Sequence, residues 1–312
     1  MTSSPCTFCG LDFGTSNSSI GRFVGAAPQL VEIQPGRVSV PTAIFFSFED
    51  GRACFGQEAV ASYLRREDGR FMRALKGLLG SSLVDETTLL KGRRLRFLDI
   101  IAMFVTSIRT AAGNPDAVVM GRPVRFVDDD EEADRNAEEQ LRTAARQAGF
   151  TTVEFQFEPI AAALDYERGV TGEQLAFVVD IGGGTSDFSI VRVSPERRHK
   201  SDRRSDILGF AGVHIGGTDF DKHLELQTVM PHLGMGSKLR HKNMEPPRWW
   251  YHDLATWHRI NFMYDPKVAT DIGRVRRDAR EPDKLGRLLR VIDARKGHAL
   301  LGSIEQVKIA LS

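Results

Sequence analysis

Hydrophobic and polar residues alternate in two stretches that each run into a glycine-containing turn. Residues 7–13 (TFCGLDF) alternate and end in Gly-Thr-Ser-Asn, and residues 18–24 are typical of the return strand of a hairpin. Residues 175–181 (LAFVVDI) form a near-continuous apolar run, which indicates a strand buried on both faces. The pattern therefore predicts two strand–turn segments that lie far apart in the chain.

The rest of the chain divides into further periodic segments and two polar ones. Helical periodicity covers residues 57–66, 97–112, 131–148, 160–166 and 298–312, and strand patterns cover residues 42–48, 118–126 and 152–157. Residues 194–207 are polar and charged, which predicts a solvated hairpin loop or connection. Residues 231–297 contain an aromatic cluster and an Arg-rich amphipathic stretch, and they are interpreted as a mostly helical insertion.

The two strand–turn segments are copies of one pattern. The stretch from Asp12 to Arg22 resembles the stretch from Asp180 to Arg192: an apolar strand, Asp-x-Gly, Thr-Ser, Asn or Asp, and a return strand with Ser-Ile. The copies are too far apart for the period of a solenoid or a propeller. The repeat favours two related lobes, each with one such hairpin.

Each turn has the composition of a phosphate-binding loop. Glycines leave several backbone N–H groups free to point at one spot, and such a nest binds anions. A carboxylate beside a phosphate, as predicted for Asp12 and Asp180, is reasonable when a hydrated Mg²⁺ lies between them, because Mg²⁺ keeps waters and binds one or two carboxylates plus phosphate oxygens. The alternative interpretation is that each turn only connects the two strands of a hairpin. Two matching copies of the pattern make that interpretation less favourable.

Composition narrows the function classes further. The chain has 312 residues and a formal net charge of +1, which excludes a strongly basic nucleic-acid-binding protein. Its apolar stretches are too short to span a bilayer, and the first ten residues lack the features of a signal peptide. Three cysteines (Cys6, Cys9 and Cys54) cannot form a disulfide framework, which favours the cytoplasm. Neither a nucleic acid nor a membrane is therefore expected as a partner.

Six segments together resemble the actin-fold ATPase superfamily, and within it the DnaK-type heat-shock chaperones (heat shock protein 70 family). The segments are residues 12–18, 74–80, 158–164, 180–187, 214–221 and 303–312. The 231–297 insertion is similar to the divergent YegD-like group. The resemblance implies an α/β fold of the actin-like ATPase type, built on a ribonuclease H-like motif, with two lobes and a nucleotide cleft between them.

The resemblance also implies a domain division and a truncation. The first lobe would cover residues 1–170, and the second would cover residues 171–312, incomplete and interrupted by the insertion. The chain stops where the family continues, so it looks truncated at its C-terminal end.

Residue roles are carried over from the resemblance. Asp12 and Asp180 would hold the hydrated Mg²⁺. Lys76 would face the γ-phosphate and the attacking water. Glu158 and Asp187 would orient that water, directly or through the metal shell, and Thr185, on the γ-phosphate side, is the fourth implied catalytic residue. The residues implied in contacts with the phosphates are Gly14, Thr15, Ser16, Asn17, Gly182, Gly183, Gly184 and Thr185. Those implied in contacts with the rest of the nucleotide are Gly216, Gly217, Thr218, Glu305 and Lys308.

The expected activity is binding of ATP or ADP with Mg²⁺ and slow ATP hydrolysis, coupled to lobe closure as in a chaperone-like switch. Client proteins or co-chaperones are the expected partners. Two alternatives stay open at this point. One is a small-molecule kinase of the same superfamily, and the other is a nucleotide-binding interaction module without turnover.

Overall fold

The structure is a computed structural model that describes residues 8–25, 27–90, 92–127, 129–200, 202–240 and 244–311. The chain divides into two compact units, Met1–Gly216 and Gly217–Ser312. The predicted boundary between lobes at residue 170 stays a prediction. Cys9 and Cys54 are free and buried, whereas Cys6 lies outside the described residues.

The first unit is an α/β structure. Its strands are β1 (Phe8–Phe13), β2 (Asn17–Val24), β3 (Ala27–Leu30), β4 (Ser39–Pro41), β5 (Ala43–Ser47), β6 (Ala53–Phe55), β7 (Gly69–Arg73), β8 (Thr87–Leu90), β9 (Arg93–Arg96), β10 (Ala117–Arg122), β11 (Thr152–Phe157), β12 (Gln174–Ile181), β13 (Ser186–Val193) and β14 (Ile207–Val213). Its helices are α1 (Gly56–Leu64), α2 (Phe97–Ala111), α3 (Glu131–Gln147) and α4 (Glu158–Glu167). The predicted α/β class is confirmed.

The largest sheet is mixed. Its strand order is β11–β10–β1–β2–β3, with β4 paired to β2. The strands β11, β10 and β1 run parallel, whereas β1, β2 and β3 are antiparallel neighbours. Parallel strands need long crossover connections, and the segments that contain α2 and α3 supply them. The first predicted hairpin is therefore joined in the sheet to strands much later in the chain.

Side chains along β1 alternate between a buried face and an exposed face. Cys9, Leu11 and Phe13 are buried, and the Phe13 ring lies 6.0 Å from the ring of Phe104 in α2. The alternate residues, Gly10 and Asp12, point to the opposite face because successive side chains of a strand alternate. The strand therefore presents Asp12 on the side that the helix α2 does not cover.

The second sheet is an antiparallel meander in the order β12–β13–β14. The helix α4, which starts directly where β11 ends, packs on this meander. Their shared core contains Ile160 and Ala163 from the helix, Val170 from the following turn, and Val191 and Val193 from β13. The helix α4 therefore links the two sheets: its first residue follows β11 of the large sheet directly, and its apolar face packs on the second hairpin.

The strand β12 is not buried on both faces. Ala176 and Val178 pack on the α4 side, but Phe177 is 67% exposed and Leu175 and Ile181 are nearly as exposed. The expectation of burial on both faces was wrong, because α4 packs on one face of the meander and the β12 side chains on the other face are exposed. A continuous apolar run shows that a strand is apolar and does not show which layers cover it.

The segment between β13 and β14 joins two antiparallel strands, so the predicted hairpin connection is confirmed, but it is not solvated throughout. Arg203 is buried and forms two parallel hydrogen bonds to the carboxylate of Glu167, at 2.9 and 3.1 Å. Its Nε also donates to Asp206, which is fully buried and is bonded by Arg197 as well. Polar composition was misleading here because these charges are paired with one another rather than hydrated.

The second unit consists of helices. They are α5 (Gly217–Thr228), α6 (Trp249–Leu254), α7 (Pro266–Asp278), α8 (Pro282–Asp293) and α9 (Gly297–Leu311). Trp250, Tyr251 and Trp257 are buried, so most of the aromatic cluster of the insertion belongs to the core, whereas Trp249 is half-exposed. In the part of the chain that the structure describes, no helix combines the length and the apolar character needed to cross a bilayer.

The core of the second unit holds an acidic pair on α5. Asp221 and Glu225 are both fully buried, and both carboxylate oxygens of Glu225 lack a hydrogen-bond partner in the described residues. Burial, assisted by the negative charge of Asp221, raises the pKa of Glu225 to about 8. A raised folded-state pKa means that stability is lost as the pH rises from the ordinary value of a glutamate toward 8.

Replacing Glu225 with glutamine should remove that pH dependence. We expect Glu225→Gln and the wild type to be similarly stable at pH 5, and the variant to be more stable at pH 8 by a few kcal/mol, on the order of 1.4 kcal/mol per unit of raised pKa. Urea unfolding at the two pH values measures this difference. Glu281→Gln, at an exposed glutamate, is the control and should show no such divergence. Equal stability differences at both pH values would contradict the prediction.

Candidate functional site

One cavity of about 1080 Å³ lies in the first unit, on the open face of the large sheet. Both glycine turns line it. From the first hairpin come Asp12, Gly14, Thr15, Ser16 and Asn17, and from the second come Asp180, Gly182, Gly183, Gly184 and Thr185. The two turns that the sequence repeat singled out therefore open onto the same space.

The turns approach each other as closely as glycine allows. A Cβ atom built on Gly183 would lie 2.2 Å from Ser16 Oγ, and one on Gly184 would lie 3.1 Å from Thr15 Oγ1. Gly216 packs behind the second turn, where a Cβ would lie 2.6 Å from the backbone of Gly183 and Gly184. Glycine is favoured at these three positions because the chain segments pack closely there. None of the three adopts the left-handed backbone conformation that favours glycine elsewhere.

A lysine–glutamate pair lies on the wall of the same cavity. Lys76 Nζ is 3.0 Å from Glu158 Oε1, and both side chains are mostly buried. Lys76 belongs to a short 3₁₀ turn, Leu75–Leu78, which follows β7, and Glu158 is the first residue of α4. Ala74, just before that turn, adopts a left-handed conformation with φ of 60°, which is strained for an alanine. The chain thus reverses sharply to bring the ammonium into the cavity.

The carboxylates of the cavity share an unfavourable environment for negative charge. Burial raises the pKa of Asp12; Lys76 opposes that effect, and the charges of Glu158 and Asp180 add to it. Burial and the charge of Glu158 also raise the pKa of Asp180. One ammonium faces several acids here, so the cavity favours a further cation.

The residues fit a hydrated magnesium ion better than a directly caged metal. Among the described residues, no three His, Cys, Asp or Glu side chains converge to hold a metal ion. Mg²⁺ is typically bound by one or two carboxylates, retained waters and phosphate oxygens. Asp12 and Asp180, on matching strands beside the two turns, would supply that pair of carboxylates.

Asp187 stands apart from the other predicted catalytic residues. It is buried opposite Asp180 in the β12–β13 register, accepts a hydrogen bond from the Thr185 side chain and does not line the cavity. Burial raises its pKa, and a Cβ on Gly212 would lie 2.7 Å from its Oδ1. Its proposed role toward water stays a prediction, and the contact with Thr185 is what the structure assigns to it.

Four predicted nucleotide contacts belong to the second unit: Gly217, Thr218, Glu305 and Lys308. Lys308 Nζ lies 2.7 Å from Asp221 Oδ1 and donates to the carbonyl oxygen of Gly217 at 2.8 Å. This ammonium therefore joins α9 to the start of α5. The predicted contacts of these four residues with ribose and adenine stay predictions.

One residue at the first turn has no counterpart in the sequence-based prediction. Thr42, between β4 and β5, is buried and hydrogen-bonded to the turn. Nothing in a single Pro-Thr step after a short strand marks it as part of a site. Only the pairing of β4 with β2 brings it there.

Two comparisons with known proteins agree on a family. Residues 99–233, less than half of the chain, match the family model described as Hsp70 protein. The chain is also similar to the chaperone protein HscA homolog of Bordetella pertussis, with 27% identity over 234 residues. That alignment covers 68% of this chain and 35% of the relative, so the chain spans about a third of its relative's length. Both similarities support the Hsp70 family and the actin-like ATPase fold that its domain implies.

Proposed function

We propose that this chain is a heat-shock-type, chaperone-like ATPase that binds ATP or ADP with Mg²⁺ in the cavity of its first unit. The observation that carries the proposal is the meeting of two repeated glycine turns on one cavity, with Lys76, Glu158, Asp12 and Asp180 around it. A phosphate chain needs N–H donors and a cation, and a divalent ion needs carboxylates. The cavity offers all of these groups.

The chain's own residues would act mainly by positioning and electrostatic stabilisation. The N–H groups and hydroxyls of the two turns would hold the phosphates, and Lys76 would stabilise charge that develops on the terminal phosphoryl group. Glu158 would hold the ammonium of Lys76 in place and orient a water molecule. Bound Mg²⁺ would neutralise phosphate charge, held through water by Asp12 and Asp180.

The chaperone activity is proposed from the relative's printed name and from the family. We propose that the two lobes close or open according to whether ATP or ADP is bound. Client proteins or co-chaperones would respond to that change. The YegD-like subgroup and a cytoplasmic location are part of the same proposal. The relevant experiment for this part is nucleotide-dependent suppression of the aggregation of a denatured model protein.

Titration with MgADP by calorimetry tests the binding proposal directly. We expect binding that weakens when Mg²⁺ is removed, and we expect Asp12→Asn and Asp180→Asn to lose most of that metal dependence. Asp116→Asn, in the loop before β10 and outside the cavity lining, is the control. Unchanged affinity and unchanged metal dependence in both cavity variants would overturn the site assignment.

Loss of the ammonium should affect turnover far more than binding. We expect Lys76→Met to lower the ATP hydrolysis rate by about 10²–10³-fold, the range seen when one transition-state-stabilising group is removed. Single-turnover hydrolysis measured beside MgADP affinity separates the two effects. Lys284→Met, at a lysine paired with Glu281 in the second unit, should keep both. A Lys76→Met protein with normal turnover would contradict the role of this lysine.

Acid should weaken the dependence of nucleotide binding on Mg²⁺. Protons and Mg²⁺ compete for Asp12 and Asp180, and both pKa values are raised by burial. We therefore expect the contribution of Mg²⁺ to MgADP affinity to decline at a pH above the one at which an ordinary aspartate protonates. Calorimetric titrations at a series of pH values, with and without Mg²⁺, measure it. A contribution that is constant down to pH 4 would contradict the expectation.

A further inference from the structure

Thr42 reaches the first glycine turn from outside the hairpin. It follows β4, which pairs with β2, and precedes β5, whose residues are buried. Its side chain is only 1% exposed, and it does not line the cavity. It therefore lies behind the turn, on the side away from the open space.

Thr42 binds two carbonyl groups of the turn. Its Oγ1 donates to the carbonyl oxygen of Gly14 at 2.8 Å, and its backbone N–H donates to the carbonyl oxygen of Ser16 at 2.9 Å. The buried Ser18 hydroxyl lies 2.8 Å from Thr42 Oγ1. Because the hydrogen of Thr42 Oγ1 is used on Gly14, Ser18 is the donor in that contact, and it orients the threonine hydroxyl.

These bonds determine where the N–H groups of the turn point. In a planar trans peptide, the N–H is directed opposite to the C=O of the same unit. The carbonyl groups of Gly14 and Ser16 are held toward Thr42, so the N–H groups of Thr15 and Asn17 point away from it. Thr15, Ser16 and Asn17 line the cavity, which lies on that opposite side.

We propose that Thr42 is a positioning residue that holds the first turn with its N–H groups presented to a phosphate of the bound nucleotide. This inference rests on the proposed function, because it assumes that the turn receives a phosphate. Thr42 itself would touch no ligand. It would act by keeping the two peptide units from rotating, so that the donors are oriented before the ligand arrives.

Replacing the hydroxyl alone tests the inference. Thr42→Val keeps the shape of the side chain and removes the bond to Gly14, whereas Thr42→Ser keeps the hydroxyl. We expect Thr42→Val to bind MgADP about tenfold more weakly than the wild type, the equivalent of one lost hydrogen bond, and Thr42→Ser to restore affinity. The measurement is calorimetric titration of the full chain with MgADP and, in parallel, with adenosine, whose affinity should not change in any of the variants.

A second buried hydroxyl serves as the matched control. Ser189 Oγ is buried in β13 without a hydrogen-bond partner in the described part of the chain, so Ser189→Ala deletes a hydroxyl in the same unit without touching the turn. We expect this variant to keep the MgADP affinity of the wild type.

The outcomes separate the inference from the proposed function. A wild-type chain that does not bind MgADP would overturn the proposed function, and the role of Thr42 with it. Normal MgADP binding by Thr42→Val, in a chain whose wild type does bind, would overturn only the role of Thr42. An equal loss for MgADP and adenosine, or no recovery in Thr42→Ser, would also overturn it, because a general loss of structure would then explain the change.

Discussion

Gly216→Ala is expected to lower MgADP affinity by about a hundredfold or more. The added Cβ would lie 2.6 Å from the carbonyl carbon of Gly183 and from the nitrogen of Gly184, and 2.7 Å from the oxygen of Gly183. Those atoms are backbone and cannot rotate out of the way, so the whole second turn must move. Displacement of a positioned group by about 1 Å costs on the order of 10²-fold in reaction rate, and we expect a loss of the same order in the affinity for a phosphate that this turn binds. Calorimetric titration with MgADP measures the loss.

The matched control for that change is Gly209→Ala. Gly209 lies in β14, a few residues before Gly216, and a Cβ there would meet nothing within 4 Å. We expect its affinity to equal that of the wild type and its melting temperature to change little. If Gly216→Ala and Gly209→Ala bound MgADP equally well, close packing behind the second turn would be irrelevant to the site.

Arg203→Met is expected to destabilise the first unit by about 3–5 kcal/mol, the usual loss when one partner of a buried ion pair is removed. The change leaves Glu167, which is fully buried, without its two charged hydrogen bonds. It also removes one of the two arginine contacts of Asp206. The free energy of unfolding in urea is the quantity to measure.

A neighbouring arginine offers the control for that experiment. Arg168, the residue after Glu167, is exposed, and its guanidinium lies 3.7 Å from the carboxylate of Asp165. Arg168→Met should lower stability by less than about 1 kcal/mol, as is usual for exposed pairs. A second test is Arg203→Met combined with Glu167→Gln, which should be less unstable than Arg203→Met alone. Equal effects of Arg203→Met and Arg168→Met would refute the structural role of the buried network.

Local sequence patterns predicted local structure well. The helix expected over residues 131–148 is observed as Glu131–Gln147, and the strand expected over residues 152–157 is observed with those bounds. The residue pattern within each segment predicted them, and in the structure the side chain of Asp130 caps the start of the helix. The internal repeat predicted two matching turns for the same reason, because a turn is specified by residues next to each other.

Long-range partnerships could not be predicted from the sequence in this way. Arg203 and Glu167 are 36 residues apart in the chain. Nothing in the sequence around either residue indicates that the two charges are paired. The same holds for Thr42 and Gly14, 28 residues apart, which meet only because β4 joins β2. Lys76 and Glu158, 82 residues apart, were identified only through the family resemblance, since a single lysine and a single glutamate have no pattern.

The position of α4 limits which motions the cavity can undergo. Its first residue forms part of the cavity wall, and its apolar face is packed against the meander that bears the second turn. Pulling the meander away from α4 would bring Ile160, Val191 and Val193 into water, at about 1.5–3 kcal/mol for each fully buried side chain. Because this core holds α4 on the meander, any nucleotide-driven change between the two lobes is expected to move α4, and with it Glu158, together with the second turn.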